Sequence, residues 1–271
     1  MTIRLVLAGC GNMGYAMLSG WVSSGKLAAG EVFVVEPNAD LRLRAEELGC
    51  LTAADAADIP ADAVPQLVVI AVKPQVIREV SRAYARFGDG RTTFLSIAAG
   101  TPVSTFEAIL GDKAPITRCM PNTPAAIGKG MMVLYSNALV SEETTRAIAD
   151  LLSASGEVAT IADEGLMDAV TAVSGSGPAY VFHFIEALTA AARQAGLPEN
   201  IARLLASQTV YGAACLAAES SQEPGTLREQ VTIPNGTTAA ALAVVMGEDR
   251  LTRLVSEAVE AARLRSIELG K

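Results

Sequence analysis

The stretch Gly9-Cys10-Gly11-Asn12-Met13-Gly14 decides the fold of the first half of this chain. It follows the apolar run Ile3 to Ala8, which predicts a strand, and it opens the helix-like stretch Met13 to Ser24. In such a unit the first glycine allows a tight turn, the second lets phosphates approach the backbone, and the third lets the helix pack closely. The helix N-terminus adds free N–H groups and partial positive charge. We expect dinucleotide binding here, and a glycine-rich turn in an ordinary α/β domain is the alternative.

The acidic residue Glu36 ends the next predicted strand, 22 residues beyond Gly14. At this position a carboxylate hydrogen-bonds a ribose 2′-OH and repels a 2′-phosphate, which favours NADH. Arg42 or Arg44 would offset that repulsion and admit NADPH. Alternatively, Glu36 only complements the positive N-terminus of the following helix. Both cofactors therefore stay open.

Composition excludes several classes of function. The chain has 271 residues, a formal net charge of −8 and no run of lysine or arginine, so we expect no nucleic-acid partner. Its four cysteines share no CxxC spacing and it has one histidine, so we expect no metal site and no disulfide framework. This cysteine usage fits a reducing cytoplasm.

Hydropathy favours a large buried interface over a membrane segment. Residues 5–25 carry no charge over 21 positions, yet their five glycines, Asn12 and three serines favour a strand, turn and helix. There is no basic segment followed by a cleavage site, so we expect neither a secretory signal nor a membrane partner. The mean hydropathy of +0.35 then favours an oligomer interface.

Up to residue 162, short apolar runs alternate with amphipathic segments, which predicts an α/β domain with a doubly wound parallel sheet over residues 1–162. The predicted strands are Ile3–Ala8, Val32–Glu36, Leu67–Val72, Thr93–Ala98, Ile116–Cys119, Met131–Tyr135 and Glu157–Ile161. The predicted helices between them include Ala39–Leu48, Gln75–Arg86, Val103–Leu110 and Ser141–Ser153.

From residue 163 strand-like runs vanish, and Ala/Leu-rich patterns predict an all-helical domain over residues 163–271. The predicted helices are Asp168–Thr171, Gly177–Ala195, Pro198–Ala218, Pro224–Gln230, Thr237–Met246 and Glu248–Leu269. They are poor in aromatic residues and give a thin core. Interlocking with a second copy of the chain would supply the missing burial.

Three further stretches lie at predicted strand ends, where open α/β sheets bind ligands. In Ala71-Val72-Lys73-Pro74-Gln75 the lysine either reaches a phosphate or is solvated, and the proline starts a helix. The small residues of 96–100, among them Ala98, let a flat ring lie close or serve helix–sheet packing. In the turn 120–124 two prolines restrict the backbone and present Asn122 and Thr123, either as a site or as a plain turn.

Two stretches of the helical half predict anion-binding helix starts. Small residues and a proline in Ser174-Gly175-Ser176-Gly177-Pro178 leave a helix N-terminus open to an anion, or form an ordinary cap with a hinge. Pro234-Asn235-Gly236-Thr237-Thr238 repeats the pattern, and its N–H groups and hydroxyls would bind a carboxylate and one further polar atom. Glu164 at the domain junction lies at the lip of a cleft or is a solvated hinge carboxylate.

Taken together, these stretches resemble the pyrroline-5-carboxylate reductase family, which completes proline biosynthesis. The matching residues are GCGNMG at 9–14, AVKPQ at 71–75, SIAAG at 96–100, MPNTP at 120–124, SGSGPAY at 174–180 and VTIPNGTT at 231–238. The resemblance implies hydride transfer from NADPH or NADH to the C=N of 1-pyrroline-5-carboxylate, giving L-proline. It also implies an N-terminal Rossmann domain and a C-terminal helical dimerisation domain, with dimers that often form decamers.

The resemblance also gives roles to residues. It implies that Thr238 contacts the ring nitrogen of the substrate and that Glu164 lies near the substrate, so these two are the expected catalytic residues. The expected substrate-binding residues are Ser176, Gly177, Gly236, Thr237 and Thr238. The expected cofactor-binding residues are Gly9, Cys10, Gly11, Asn12, Met13, Gly14, Glu36, Ala71, Val72, Lys73, Pro74 and Ala98.

Two positions depart from the family pattern. Asn235 stands where the family commonly has glycine, and asparagine tolerates the left-handed conformation. Gln230 stands where the family often has asparagine, so a contact on the nicotinamide side would differ. The rival functions are a related imine or hydroxyacid reductase and a non-catalytic nucleotide sensor. Residues 163–246 contain no lysine, which counts against relatives that use a lysine acid in the helical domain.

Overall fold

A computed structural model describes residues 2–270, so Met1 and Lys271, the outer ends of the two predicted domains, lie outside the described residues. The chain divides into two compact units. The sheet unit comprises residues 2–176 and 262–270, and the helical unit comprises residues 177–261. The predicted functional division after residue 162 stays a prediction.

Within residues 2–270, one sheet has eight strands in the order β3-β2-β1-β4-β5-β6-β7-β8. They are β1 Leu5–Ala8, β2 Val32–Val35, β3 Leu51–Ala53, β4 Leu67–Ile70, β5 Thr93–Ser96, β6 Ile116–Met120, β7 Gly130–Ser136 and β8 Gly156–Thr160. Pairing is parallel from β3 to β6, β7 runs antiparallel to β6, and β8 is parallel to β7. The doubly wound α/β sheet is confirmed, but it is not wholly parallel. The connection 121–129 is shorter than the dozen or so residues that a parallel crossover requires, so β7 turns back.

Most predicted helices are present with shifted ends. Those of the sheet unit are α1 Asn12–Ser23, α2 Ala39–Glu47, α3 Ile77–Arg82, α4 Val103–Leu110, α5 Glu142–Leu152 and α6 Met167–Val170. The others are α7 Gly177–Gln194, α8 Glu199–Glu219, α9 Pro224–Gln230, α10 Thr237–Met246 and α11 Arg250–Leu269. The predicted helix 75–86 is broken, because 3₁₀ turns at Pro74–Val76 and Ala85–Phe87 flank α3. The last helix begins two residues later than predicted, because Glu248 and Asp249 have φ of +56° and +54°.

Alternate residues of the central strands enter two apolar cores, one on each face of the sheet. Leu5 and Leu7 pack in the core that contains Trp21 of α1, and Val6 and Ala8 pack in the core that contains Phe106 of α4. This follows from the two-residue period of a strand. Strands buried on both faces read as continuous apolar runs, which is why the sequence pattern found them. Their carboxyl ends share one edge of the sheet, and the predicted cofactor residues lie there.

The helical unit has little core of its own. Among residues 177–261 the buried residues are Ala202 and Ala206, and α7 and α10 bury none. Large apolar side chains are exposed throughout this unit, including Phe182, Phe184, Leu204, Tyr211, Leu216 and Val244. Apolar surface of this extent marks an interaction surface. It agrees with the oligomer interface expected from the mean hydropathy.

The uncharged stretch at residues 5–25 is the strand, turn and helix that its glycines predict, namely β1 and α1. Elsewhere in the described residues, the helix Glu199–Glu219 is long and apolar enough to cross a membrane, by length and composition alone. A single helix of this kind is weak evidence for membrane insertion, because other apolar helices pass the same test.

Candidate functional site

Two glycines of the loop between β1 and α1 are required by the backbone around them. Gly9 has φ of +93°, and a Cβ added there would lie 2.7 Å from the carbonyl oxygen of Ala71. A Cβ at Gly14 would lie 2.5 Å from the carbonyl oxygen of Gly9. By contrast, a Cβ at Gly11 would meet no atom within 4 Å. The loop is therefore held closely against the end of β4, while its middle glycine faces open space.

The first turn of α1 offers its backbone N–H groups to a ligand. Gly11 is the N-cap in an extended conformation, and it has no side chain with which to bond the N–H groups of Met13 and Gly14. A helix start of this kind binds phosphate. Cys10 does not add chemistry to the loop, because burial raises the pKa of its thiol to about 11 and keeps it protonated near neutral pH.

Glu36 is committed to backbone groups on both sides. Its Oε2 accepts the N–H of Cys10 at 2.7 Å, and its Oε1 accepts the N–H of Asn38 at 2.9 Å. The residue is only 8% exposed. Asn38 is the N-cap of α2, so the expectation that Glu36 serves the following helix is correct in part. The carboxylate also joins that helix start to the glycine loop, which the sequence did not indicate.

The two arginines considered beside Glu36 make other contacts. Arg42 donates from Nη1 to the backbone oxygen of Glu36 at 2.8 Å. The guanidinium of Arg44 lies 3.7 Å from the ring centroid of Tyr15, a cation–π contact. Arg42 therefore borders the end of β2, and Arg44 packs against α1.

A cavity of about 490 Å³ opens at the carboxyl ends of β1, β2 and β4. Its lining includes Gly9, Glu36, Val72 and Tyr84. This volume is typical of small-molecule and cofactor sites. The glycine cradle, the open face at Gly11 and this cavity together fit a dinucleotide.

The remaining predicted cofactor residues lie along the same edge of the sheet. Ala71 and Val72 touch the glycine loop, because a Cβ added at Gly9 would overlap the Ala71 oxygen and the Val72 side chain. Lys73 is exposed and Pro74 begins the 3₁₀ turn after β4. Ala98 is buried just beyond the end of β5. The structure therefore gathers the ends of β1, β2, β4 and β5, as predicted for a dinucleotide site.

A slightly larger cavity, of about 510 Å³, lies at the opposite ends of the strands. Its lining includes Leu5, Leu67 and Thr93, the first residues of three strands. Since ligands of doubly wound sheets bind at the carboxyl ends, this cavity is not the candidate site.

Glu164 forms a bonded junction within the sheet unit. Its Oε1 accepts the Val103 N–H at 2.7 Å and the Nη1 of Arg118 at 2.7 Å. The side chain of Arg118 is 9% exposed and that of Glu164 is 26% exposed. The predicted alternative, a solvated hinge carboxylate, must therefore include two hydrogen bonds to the protein. A charged residue inside the apolar strand β6 was the available signal for this pair, because buried arginines require a partner.

The predicted helix α7 does start at Gly177, but a π-turn leads directly into it. Thr171–Gly175 forms this turn between α6 and α7, and the N–H of Ser176 donates to the Thr171 oxygen at 2.8 Å. The amide of Ser176 is therefore already used, which corrects the expectation of a free helix N-terminus there. Short π-turns inside helices are frequent at functional sites. The roles of Ser176 and Gly177 in substrate binding stay predictions.

The helix start predicted at residues 234–238 is present. Asn235 has φ of +62°, so asparagine does keep the left-handed turn in which the family commonly has glycine. Gly236 is the N-cap of α10, and Thr237 and Thr238 are its first two residues. Thr237 is exposed and Thr238 is half-buried. The first-turn N–H groups and two hydroxyls are thus available for an anion.

The other departure from the family, Gln230, bonds within its own unit. Its Nε2 donates to Oε1 of Gln222 at 2.8 Å. Over residues 2–270, no three His, Cys, Asp or Glu side chains are grouped so that they could hold a metal ion.

Comparison with known proteins agrees with this geometry. The chain is 41% identical to a pyrroline-5-carboxylate reductase of Pseudomonas aeruginosa over 271 residues, 100% of this chain and 98% of that one. It is 35% identical to the Escherichia coli enzyme, with 100% of both chains covered. The chain belongs to the pyrroline-5-carboxylate reductase family.

Solved structures of family members have the same fold. A pyrroline-5-carboxylate reductase of Coxiella burnetii superposes with a TM-score of 0.92 at 33% identity, covering 100% of both chains. A Plasmodium falciparum pyrroline carboxylate reductase, solved with NADP bound, superposes with a TM-score of 0.85 at 28% identity, covering 99% of this chain and 98% of that one.

Two family models match the two halves of the chain. Residues 4–100 match the NADP oxidoreductase, coenzyme F420-dependent family, and residues 164–269 match pyrroline-5-carboxylate reductase dimerisation. The first match covers the glycine loop and the ends of β1, β2, β4 and β5. The second covers the helices whose apolar side chains are exposed in the single chain. The chain therefore carries a dimerisation domain and forms a homo-oligomer.

Proposed function

We propose that this chain reduces the C=N bond of 1-pyrroline-5-carboxylate to give L-proline, the last step of proline biosynthesis. The observation that carries the proposal is the whole-chain match to pyrroline-5-carboxylate reductases, at 41% identity for the Pseudomonas aeruginosa relative. The cradle formed by Gly9, Gly11 and Gly14 and the helix start at Gly236 supply the two kinds of site that this reaction needs.

The reductant is NADPH or NADH, held at the carboxyl edge of the sheet. A nicotinamide bound there would supply the hydride that reduces the imine carbon. The first turn of α1 holds the pyrophosphate, and the open face at Gly11 lets the phosphates approach. The loops that begin at Ala71 and contain Ala98 border the rest of the cofactor. Glu36 keeps the glycine loop in the shape that binds.

On the substrate side, small residues and hydroxyls do the positioning. The backbone around Gly236 and Thr237 is the carboxylate-binding element of the helical unit, and Ser176 and Gly177 keep their predicted roles in substrate binding. Thr238 contacts the ring nitrogen. A protonated imine is already a strong electrophile, so orientation contributes more to the rate than a strong acid would.

Glu164 acts near the substrate, a role suggested by the family resemblance. Its Oε1 is engaged by the Arg118 guanidinium and the Val103 N–H. Glu164 therefore also has a structural role, and a substitution must be tested for both.

The active assembly is a homodimer, and dimers associate into a decamer in the cytoplasm. The exposed apolar side chains of the helical unit support a second copy as the partner. The imino acid and proline are the small-molecule partners, and the net charge of −8 opposes binding to nucleic acid. No membrane partner is proposed.

The proposal is tested by the reverse reaction. Proline should drive the reduction of NADP⁺ or NAD⁺ at high pH, which is followed at the absorbance of the reduced nicotinamide. A nucleotide sensor would bind the nucleotide without any proline-dependent signal. A hydroxyacid reductase would respond to hydroxy acids and not to proline.

A further inference from the structure

The turn after β6 touches the π-turn through two neighbouring residues. Nδ2 of Asn122 donates to the backbone oxygen of Ser174 at 3.0 Å. The methyl group of Met120 lies so close to Gly175 that any Cβ there would overlap it. Both contacts lie within the sheet unit. They fix the backbone immediately before Ser176.

Pro178 explains why Ser174 needs a donor from outside its own helix. In an α-helix the N–H of residue 178 would donate to the oxygen of residue 174, but proline has no N–H and its ring crowds that oxygen. The chain forms a π-turn at Thr171–Gly175, and Asn122 supplies the hydrogen bond that Pro178 cannot make.

A second bond fixes the orientation of the Asn122 amide. Its Oδ1 accepts the backbone N–H of Met131, in β7, at 2.9 Å. Since a backbone N–H requires an acceptor and a carbonyl requires a donor, the two partners allow one orientation of the side chain. One asparagine thus joins β7 to the backbone of Ser174.

We propose that Asn122 is a positioning residue for the imino-acid substrate, acting through the backbone of residues 174–176. This inference rests on the proposed function, because Ser176 is a substrate-binding residue only in that account. In this role Asn122 acts through the protein backbone and does not itself contact the substrate or the cofactor. Its loss should weaken substrate binding and leave the nucleotide cradle intact, because the cradle is built from other strand ends.

Asn122→Asp separates the two bonds of this side chain. The carboxylate still accepts the Met131 N–H, but it cannot donate to Ser174 and repels that carbonyl oxygen. We expect the KM for 1-pyrroline-5-carboxylate to rise about tenfold, because a half-buried carbonyl loses its donor and faces a carboxylate instead. The Kd for NADPH should stay at the wild-type value.

Asn137→Asp is the matched control. Asn137 also accepts a backbone N–H, from Ile116 at 3.1 Å, and donates to a backbone carbonyl, that of Ala114 at 3.2 Å. The same substitution there should lower stability without changing the KM. Asn122→Ala is a second test, because it removes both bonds of this side chain and adds no charge. We expect it to raise the substrate KM as well.

The inference is overturned if the wild-type enzyme turns over and the folded variants Asn122→Asp and Asn122→Ala both keep its KM for the imino acid. A fall in stability alone, with unchanged KM in both variants, would also overturn it. If the wild-type enzyme itself lacks turnover, the proposed function fails instead. A raised substrate KM with an unchanged nucleotide Kd supports the positioning role.

Discussion

The Glu36 carboxylate accepts the backbone N–H of Cys10 at 2.7 Å and so joins the end of β2 to the glycine loop. Its other oxygen accepts the N–H of Asn38 at 2.9 Å. Glu36 therefore acts first as a clamp between two loops that border the cofactor cavity.

Glu36→Gln tests the clamp against charge repulsion. Glutamine has one acceptor oxygen, so its amide group would face one of the two backbone N–H groups. We expect the Kd values for NADH and NADPH to rise together, each by about tenfold, the equivalent of one charge-assisted hydrogen bond. Fluorescence titration of both reduced nucleotides measures this.

The exposed residue Glu47 of α2 provides the control, because Glu47→Gln removes the same charge without breaking a loop contact. Tighter NADPH binding in Glu36→Gln, with NADH binding unchanged, would show that Glu36 acts by repelling the 2′-phosphate.

Gly11→Val should abolish nucleotide binding and leave the fold intact. A Cβ at this position meets no protein atom within 4 Å, so the side chain would occupy only the space that the phosphates need. Gly14→Ala is the contrasting variant, because its methyl group would lie 2.5 Å from the Gly9 oxygen. We expect Gly14→Ala to lose about 1–3 kcal/mol of unfolding free energy. Calorimetric titration and urea unfolding make the comparison, and a normal nucleotide Kd in Gly11→Val would refute the loop assignment.

Glu164→Gln should destabilise the sheet unit. Arg118, with 9% of its side chain exposed, would lose its carboxylate partner, while the Val103 N–H would keep an acceptor. Because Glu164 is itself 26% exposed, we expect a loss of about 2 kcal/mol in urea unfolding, less than for a fully buried pair.

The exposed pair of Glu142 and Arg146 is the control, and Glu142→Gln should change stability by less than about 0.5 kcal/mol. Equal stability changes in Glu164→Gln and Glu142→Gln would remove the structural role of Glu164. The role of Glu164 near the substrate is tested separately, by measuring turnover under conditions in which the variant is fully folded.

Thr238→Ala should lower kcat/KM by more than about tenfold, because the positioned hydroxyl is lost from the reacting end of the substrate. The nucleotide Kd should not change, since the cradle is built by Gly9, Gly11 and Gly14 and not by Thr238. Thr238→Ser keeps the hydroxyl and should recover most of the activity. Thr226, exposed in α9, gives a control in the same unit. An unchanged kcat/KM in Thr238→Ala would exclude the residue from the mechanism.

Features set by local sequence were predictable. The glycine loop, the helices Val103–Leu110, Pro224–Gln230 and Thr237–Met246, and the left-handed turn at Asn235 all follow from short-range patterns. The strand Leu51–Ala53 was missed because three half-exposed residues carry too little pattern. The direction of β7 was also missed, although the short connection before it carried the information.

Contacts between distant residues were not predictable from the pattern. Nothing in the spacing of Glu36, Glu164 or Asn122 indicates that each bonds a backbone group far away in sequence. One of these bonds reaches the π-turn before α7, at the backbone oxygen of Ser174. Pro178, near the predicted start of α7, indicated a helix with a free N-terminus. In the structure the π-turn Thr171–Gly175 precedes α7, and Asn122 bonds the Ser174 oxygen.

The central claim is tested most directly by the steady-state oxidation of NADPH and NADH with 1-pyrroline-5-carboxylate. The account predicts turnover that depends on both the imino acid and the reduced nucleotide, with L-proline as the product. The ratio of kcat/KM for the two nucleotides would then show which cofactor the end of β2 selects. A folded protein that binds nucleotide but forms no proline with either cofactor would contradict the account.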